Sequence, residues 1–361
     1  LEVVPPSVNR SQLRFTVGGE RTVLYGLGAV KGVGEAAIEN LIEERQSSGE
    51  FRDLYDLCHR VDLKKLNRRM LEALIRAGAL DCIGANRAGL MRTLPEAIQM
   101  AEQASRNTDA GQSDLFGLDS ATSTPRDSAP VPEWDEATRL AEEKHTLGLY
   151  LTGHPINRFL SELGHFTNGR LRDVQADGEG QRQGVGGGRR RREKSVVVAG
   201  LVVETRIRSG QRGKMAIVTL DDCSARIDAR LFSEAYEKYR DRLREDALLV
   251  FDGTLVFDEF SETVRLNVQR VLSLDEAREL FSRRVRLSLR QSDYSASLYS
   301  RLSEALRAHG EGSCPVAIDY TGSGATARLT LGSDWRVRPT DGLLQNLRDL
   351  VGPDRVRVDY R

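Results

Sequence analysis

Apolar positions between residues 25 and about 106 recur at helical spacing, with Ile38, Leu41 and Ile42 in one stretch and Leu66, Met70, Leu71, Leu74 and Ile75 in the next. Residues 1–24 read as short and extended, with Pro5-Pro6 and an apolar Phe15-Thr16-Val17. Residues 109–131 are rich in Ser, Thr, Asp, Gly and Pro and read as a linker. Residues 134–166 are apolar-periodic again, and 175–194 form a second break that ends in the run Arg189–Arg192. From Ser195 the period changes to two. Strands are expected at Val196–Val203, Met215–Leu220, Ile227–Phe232, Leu248–Phe257 and Val264–Leu272. Ser233 is expected to cap a helix carrying Tyr236, Tyr239 and Leu243 on one face.

Three strands, a helix and two more strands are the order of the five-stranded OB barrel. Beyond it, strands near Val285–Leu289, Val316–Tyr320, Ala327–Leu331 and Val356–Tyr360 and helices near Ser297–Ala308 and Gly342–Leu350 make a small α+β unit. The expected fold is thus multi-domain: an all-α helix-hairpin-helix domain at 25–174 with a linker at about 107–132, a basic Gly/Arg linker at 175–194, an all-β OB-fold barrel at 195–275, and a small α+β C-terminal domain at 276–361.

Composition narrows the function classes. The 361 residues hold 53 basic and 53 acidic side chains, which excludes a uniformly basic nucleic-acid coat but not local patches. At 39% hydrophobic the chain has enough apolar material for real cores. No apolar run approaches the roughly 20 residues of a membrane span. The four cysteines are scattered, with neither disulfide-framework nor zinc spacing, so a reducing, cytoplasmic compartment is expected. The start at Leu1, in the stretch LEVVPPSVNRSQ, reads as the interior of a longer polypeptide.

The first candidate site is GLGAVKGVG, residues 26–34. Lys31 stands where a dinucleotide fingerprint needs its third glycine, no strand-helix-strand unit surrounds it, and no GxxxxGK[ST] phosphate loop occurs. A helix-hairpin-helix fits better: Gly32-Val33-Gly34 turn tightly, Val33 packs inward, and Glu35–Arg45 forms the second helix. Free N–H groups at that helix N-terminus suit a duplex phosphate, with Lys31 supplying charge beside Gly32 and Gly34. A degenerate copy, with helices at 66–78 and from Asn86 and a turn between Gly78 and Gly84, reads as a packing turn because Leu80, Cys82 and Ile83 resemble core.

Gln112-Ser113-Asp114-Leu115-Phe116 lies inside the linker. Gln112, Asp114, Leu115 and Phe116 follow the pattern of sliding-clamp peptides, in which the apolar pair fills a pocket and Gln hydrogen-bonds its rim. In the barrel, the loop between strands 1 and 2 is expected at Arg206–Lys214, with Arg206, Arg208, Arg212 and Lys214 and no acid. The loop at Asp258–Thr263 offers Phe260 for base stacking, opposed by Asp258, Glu259 and Glu262. Asp221-Asp222 has no third ligand at useful spacing and reads as a turn, and His145 and His154 read as packing or capping residues. Trp335 and the Leu343, Leu344, Leu347, Leu350 face are either core or partner surface.

YGLGAVKGVGE, KKLNRRMLEALIRAGALD, QSDLF, KHTLGLYLTGHPI, AGLVVETR, TLDD and WRVRPTDGLLQNLRDLVG stand in an order that resembles the C-terminal part of the bacterial DNA polymerase III alpha subunit, the replicative C-family polymerase. The resemblance covers essentially the whole chain. It implies that residues 1–24 close the fingers domain, that Gln112–Phe116 is the internal clamp motif, and that an OB domain follows, whose loops at Arg206–Lys214 and Asp258–Thr263 read as a modest grip on single-stranded template. It also implies that the C-terminal domain docks the tau subunit of the clamp loader. The family's catalytic palm aspartates, with their Mg²⁺, and its phosphoesterase-like domain lie upstream. No catalytic residue, metal or cofactor is therefore expected in this segment, and it should be inactive as a nucleotidyltransferase alone. Gly184–Arg192 departs from the family as an expanded basic loop. The alternatives are a DNA-repair scaffold with the same modules, the error-prone relative of this polymerase, against which residues 283–361 argue, and an enzyme with an unrecognised site.

Overall fold

The computed structural model describes residues 2–109, 131–183, 194–210, 213–258, 262–293, 295–310 and 312–361. The chain divides into two compact units, Leu1–Pro155 and Ile156–Arg361. Gln112–Phe116, Arg189–Arg192, Arg212 and Phe260 lie outside the described residues.

In the first unit, β1 (Glu2–Val4), β2 (Thr16–Gly19) and β3 (Thr22–Leu24) form a small sheet in the order β1-β3-β2. The helices α1 (Glu35–Ser48), α2 (Leu54–Arg60), α3 (Arg68–Arg76), α4 (Arg87–Asp109) and α5 (Glu136–Leu147) follow. One core joins them, including Ile38, Leu41, Leu57, Leu71, Leu74 and Ile75. The opening residues are tied to the helices, since Arg45 Nη1 donates to the carbonyls of Val8 (2.8 Å) and Ser11 (2.9 Å). Phe15 and Val17, in contrast, are exposed. Cys58 is buried and its thiol is pushed up to about 12 by desolvation. Cys82, expected in the core, is exposed, while its neighbours Leu80 and Ile83 are buried.

Arg87 organises the far end of this unit. It is 2% exposed, with Nε 3.0 Å from Asp81 Oδ1 and Nη1 3.0 Å from Glu143 Oε1. Glu143, fully buried, also accepts from the Thr152 hydroxyl (2.6 Å) and the Thr152 N–H (3.1 Å). A buried carboxylate survives only when its lone pairs are filled in this way, and the bonds pin the LGLYLTG loop to α5.

The second unit begins with α6 (Leu160–Leu163) and α7 (Leu171–Gln183). Residues 175–183, expected as a break, are therefore helical. The two glycines of α7 lower its propensity, but a Cβ on Gly178 would come within 2.8 Å of Val264, so the site demands glycine for close packing on the barrel. Leu171 and Val174 of α7 sit in the barrel's own core.

The barrel comprises β4 (Lys194–Gly210), β5 (Gly213–Asp221), β6 (Arg226–Leu231), β7 (Leu248–Asp258) and β8 (Thr263–Ser273). It closes in the order β4-β5-β6-β8-β7, and only the β6–β8 pair is parallel. Val198, Val218, Ala229, Phe251 and Leu266, all at 0% exposure, fill its interior. The helix α8 (Ser233–Tyr239) lies between β6 and β7 and buries Tyr236 and Tyr239, with Leu243 beyond it. Its N-cap is Phe232, with no side-chain bond; Ser233 is the first helical residue rather than the cap. Asp222 is 2% exposed and accepts from Leu171 N (3.0 Å), Ser224 N (2.9 Å) and Arg170 Nε (2.8 Å), so it joins α7 to the barrel.

After α9 (Leu274–Phe281), the strands β9 (Ser282–Arg290), β10 (Val316–Thr321), β11 (Thr326–Thr330) and β12 (Val356–Tyr360) form a sheet in the order β11-β10-β9-β12. The helices α10 (Ala296–Ala308) and α11 (Asp341–Val351) pack with Val285, Leu287 and Val316 of the sheet in one core. Leu343, Leu344 and Leu347 are core, not partner surface, and Leu350 and Trp335 pack against them. Arg278, on α9, is 2% exposed. It reaches Glu162 Oε1 at 2.6 Å, Asp341 Oδ1 at 2.6 Å and Asp275 Oδ1 at 3.0 Å, and the Tyr360 hydroxyl donates to Glu162. Burial alone would lower the guanidinium pKa, but Glu162 and Asp341 carry it above its ordinary value.

Arg278→Met should cost the second unit about 3–5 kcal/mol, because Glu162 loses its guanidinium partner inside the fold. A urea titration should show the midpoint falling accordingly. Asp222 generates a pH prediction. Burial raises its pKa, but bonds from Ser224, Leu171 and Arg170 more than offset this and hold it below its ordinary value. Its contribution to stability is then fully present above an unfolded pKa of about 3.9 and is lost as pH falls through the lower folded value. Asp222→Asn should flatten that acid limb in a pH series of unfolding curves.

Candidate nucleic-acid interface

The hairpin turn is built by backbone geometry. Residues 27–29 form a single 3₁₀ turn rather than a full first helix, and α1 supplies the second arm. Gly32 has φ +85°, the left-handed region, and a Cβ there would meet nothing within 4 Å. Val33 is half-buried against the core, as the spacing predicts. The Lys31 N–H donates to the Thr146 carbonyl at 2.9 Å and anchors the turn to the end of α5.

The two helix N-termini proposed as phosphate sites differ. The N-cap of α1, Gly34, makes no side-chain cap bond, and Lys31, Gly32, Gly34, Glu35 and Ala36 are all exposed. Lys31 forms no ion pair among the described residues. The N-terminus of α4 is occupied, because Glu133 accepts from Arg87 N (2.9 Å) and Ala88 N (3.1 Å). Burial pushes Glu133 up, but bonds from Arg87, Trp134 and Ala88 hold it below the usual carboxylate range. A carboxylate already sits where a phosphate would, so the second turn is a packing element.

In the second unit, the expected strand 1–2 loop is largely strand. Arg206 and Arg208 lie on β4 and Lys214 on β5, because β4 runs on to Gly210, which pairs with Gly213. Arg206 therefore stands on a sheet face, opposite Ile217, which in turn pairs with Arg230 of β6. Arg208 pairs with Met215. Along β6 the buried residues Ile227, Ala229 and Leu231 leave Asp228 and Arg230 outward, and the exposed Phe232 follows at 52% exposure.

This outward face is internally paired toward one end and open toward the other. Asp228 accepts from Thr219 Oγ1 (2.9 Å) and Arg206 Nη2 (3.3 Å). Asp258 accepts from Arg230 Nη2 at 2.7 Å and also pairs with Arg265. The Asp258 carboxylate, expected to oppose phosphate, is thus spent on two arginines. The Nε atoms of Arg230 and Arg265 are buried and make no hydrogen bond in the structure. Arg208 and Lys214 form no ion pair among the described residues. Phe232 is the residue that sequence reasoning missed. Its signal was the strict alternation of β6, which makes the residue after Leu231 face outward.

The expected histidine roles hold in part: His154 is buried and packs edge-on to Tyr150 at 5.7 Å, whereas His145 is exposed on α5. Among the described residues no group of three His, Cys, Asp or Glu is arranged to hold a metal ion. No described helix is long and apolar enough to cross a membrane.

Three family models match the chain: a helix-hairpin-helix motif at residues 1–90, an OB-fold nucleic acid binding domain at 196–274, and the C-terminal domain of DNA polymerase III subunit alpha at 301–352. Among curated relatives, DNA polymerase III subunit alpha of Vibrio cholerae serotype O1 is 40% identical over 363 residues, covering 100% of this chain and 30% of that protein. The Escherichia coli K12 subunit is 40% identical over 364 residues, with the same coverage. That of Pseudomonas aeruginosa is 42% identical over 380 residues, covering 31% of its length. The chain thus spans about a third of the relatives it matches.

Gly32→Ala should cost about 1 kcal/mol from left-handed strain alone. Gly26→Ala, whose Cβ would sit 2.5 Å from the Arg14 carbonyl carbon, should cost more. Chemical unfolding of the two variants would separate strain from collision.

Proposed function

From the match of all 361 residues to the C-terminal part of the DNA polymerase III alpha subunit, we propose that this chain is the non-catalytic tethering segment of a replicative polymerase. It holds primer–template duplex at the α1 hairpin, single-stranded template at the barrel, the sliding clamp through Gln112–Phe116, and the tau subunit of the clamp loader through its C-terminal domain. Two tethers on one chain raise the effective concentration of the polymerase at its primer end, which is the physical content of processivity.

The observation that carries the reading is the open end of the barrel face. There Arg208, which forms no ion pair among the described residues, and the 52%-exposed Phe232 combine a cation with a stacking surface on the strands that OB folds use for oligonucleotides, and Lys214 adds charge at the start of β5. Stacking is worth roughly 1–3 kcal/mol per base, so one phenyl ring with a neighbouring cation supports a modest grip that follows the template without reading it. At the hairpin, the uncapped N-terminus of α1 and Lys31 suit a duplex phosphate. Val33 and the turn are fixed by the core, so the donors meet the backbone preorganised. The clamp and tau assignments rest on the motif and on the family match.

Phe232→Ala with Arg208→Ala should weaken binding of a single-stranded oligonucleotide by tenfold or more, read by fluorescence anisotropy of the full chain; unchanged affinity would remove the barrel from the proposal. Lys31→Glu with Gly34→Asp should weaken duplex binding and flatten its salt slope. Replacing Gln112, Leu115 and Phe116 with Ala should abolish capture of the chain by immobilised clamp.

A further inference from the structure

The strand register of the C-terminal sheet sorts its side chains onto two faces. Val285 and Leu287 of β9, Val316 of β10 and Val356 of β12 turn toward α10 and α11. The opposite face carries Arg284, Arg286 and Arg290 of β9, Arg357 of β12 opposite Arg286, and Arg328 of β11 opposite Asp319. Asp319 and Asp359 are the carboxylates on this face. Arg284 (2.8 Å) and Arg286 (2.7 Å) share Asp359, and Arg328 takes Asp319 at 2.6 Å. Arg290 and Arg357 are exposed and form no ion pair among the described residues.

At the β12 edge this face runs into an open cleft of about 390 Å³, lined by His165, Arg283, Arg284, Asp359, Tyr360 and Arg361 among others. The His165 and Tyr360 rings stack at 5.3 Å and 15°. Arg283 and Arg361 are exposed and likewise form no ion pair among the described residues. The Tyr360 hydroxyl is held by Glu162, and burial and that carboxylate keep it protonated. The stack is therefore fixed from beneath and open on its histidine side.

We propose that this sheet face and its adjoining cleft bind the phosphate backbone of a single-stranded nucleic acid, with the His165–Tyr360 stack receiving a base. Three observations favour this occupant over an acidic protein. The outward positions of β9 are Arg and Ser, with no exposed aromatic or aliphatic anchor of the kind that dominates protein interfaces. The cations are arginines, which suit phosphate geometry, and they follow β9 from Arg284 to Arg290 for about 20 Å, at roughly 3.3 Å per residue. The track also ends at an aromatic stack beside the exposed guanidinium groups of Arg283 and Arg361, the combination used by single-strand binders. The inference adds a contact to those proposed at the hairpin and barrel and does not use their residues.

The test is anisotropy of a labelled oligo-dT with the full chain at several salt concentrations. The variants are Arg283→Ala/Arg361→Ala for the cleft and Arg290→Ala/Arg357→Ala for the sheet. All four side chains are exposed and form no ion pair among the described residues, so circular dichroism and melting should match the parent. Each pair should weaken binding three- to tenfold and lower the salt slope by about 1.4, the value for two lost single-strand phosphate contacts. Unchanged affinity and slope in both pairs, with Phe232→Ala still weakening binding, would overturn this inference and leave the barrel reading standing. Inorganic pyrophosphate binding that depends on Arg283 and Arg361, without any effect of those residues on the oligonucleotide, would reassign the cleft to free phosphates. Oligo-glutamate binding more tightly than oligo-dT would reassign the face to an acidic protein.

Discussion

The second unit depends on one buried guanidinium. Arg278 donates two bonds to Glu162 and one to Asp275, pairs with Asp341, and Glu162 in turn accepts the Tyr360 hydroxyl. Those partners come from α6, α9, the start of α11 and the end of β12, so a single cation fastens the barrel's preceding helix to both layers of the C-terminal domain. A buried ion pair of this kind adds little net stability over an apolar substitute, but it is costly to break. Its effect is geometric: Tyr360 is fixed in place, and the stacked rings of Phe166 and Phe281, 5.3 Å apart, sit beside it. The cleft at the sheet edge follows from that fixation.

Charge explains the surfaces in the same way. Equal totals of acids and bases conceal a division between cations with a partner in the fold and cations without one. Arg87, Arg230, Arg265 and Arg278 are neutralised internally. Lys31, Arg208 and Lys214 form no ion pair among the described residues; Lys31 stands at the hairpin, Arg208 at the open end of the barrel face and Lys214 at the start of β5. The two helix N-termini of the first unit divide in the same manner. At α4, Glu133 fills the anion position; at α1, nothing in the side chains does. Only the second arrangement leaves donors for a phosphate.

Much of this was legible in the sequence, because strands alternate and hairpin glycines have few other uses. All five barrel strands and the four C-terminal strands lie where the period-two pattern puts them. What was not legible came from packing and continuity. Residues 175–183 have a loop-like composition, yet α7 continues through them because Gly178 is needed against Val264. Arg206 and Arg208 looked like loop residues because they are polar, but β4 runs to Gly210 and places them on a sheet face. Ser233 looked like a cap by type, although Phe232 holds that position. Phe232 itself was hidden as the apparent end of an apolar strand, when its outward direction follows from the buried Leu231.

If the barrel grips template as proposed, single-stranded nucleic acid lies on the outward face of β5 and β6, reached by Phe232. The direct measurement is photocrosslinking of a bromodeoxyuridine oligonucleotide to the full chain, followed by mass spectrometry of the joined peptides. Crosslinks are expected on Phe232 and on the β4–β5 hairpin around Arg208. Crosslinks confined to surfaces away from the barrel, with none on those residues, would contradict the proposed grip.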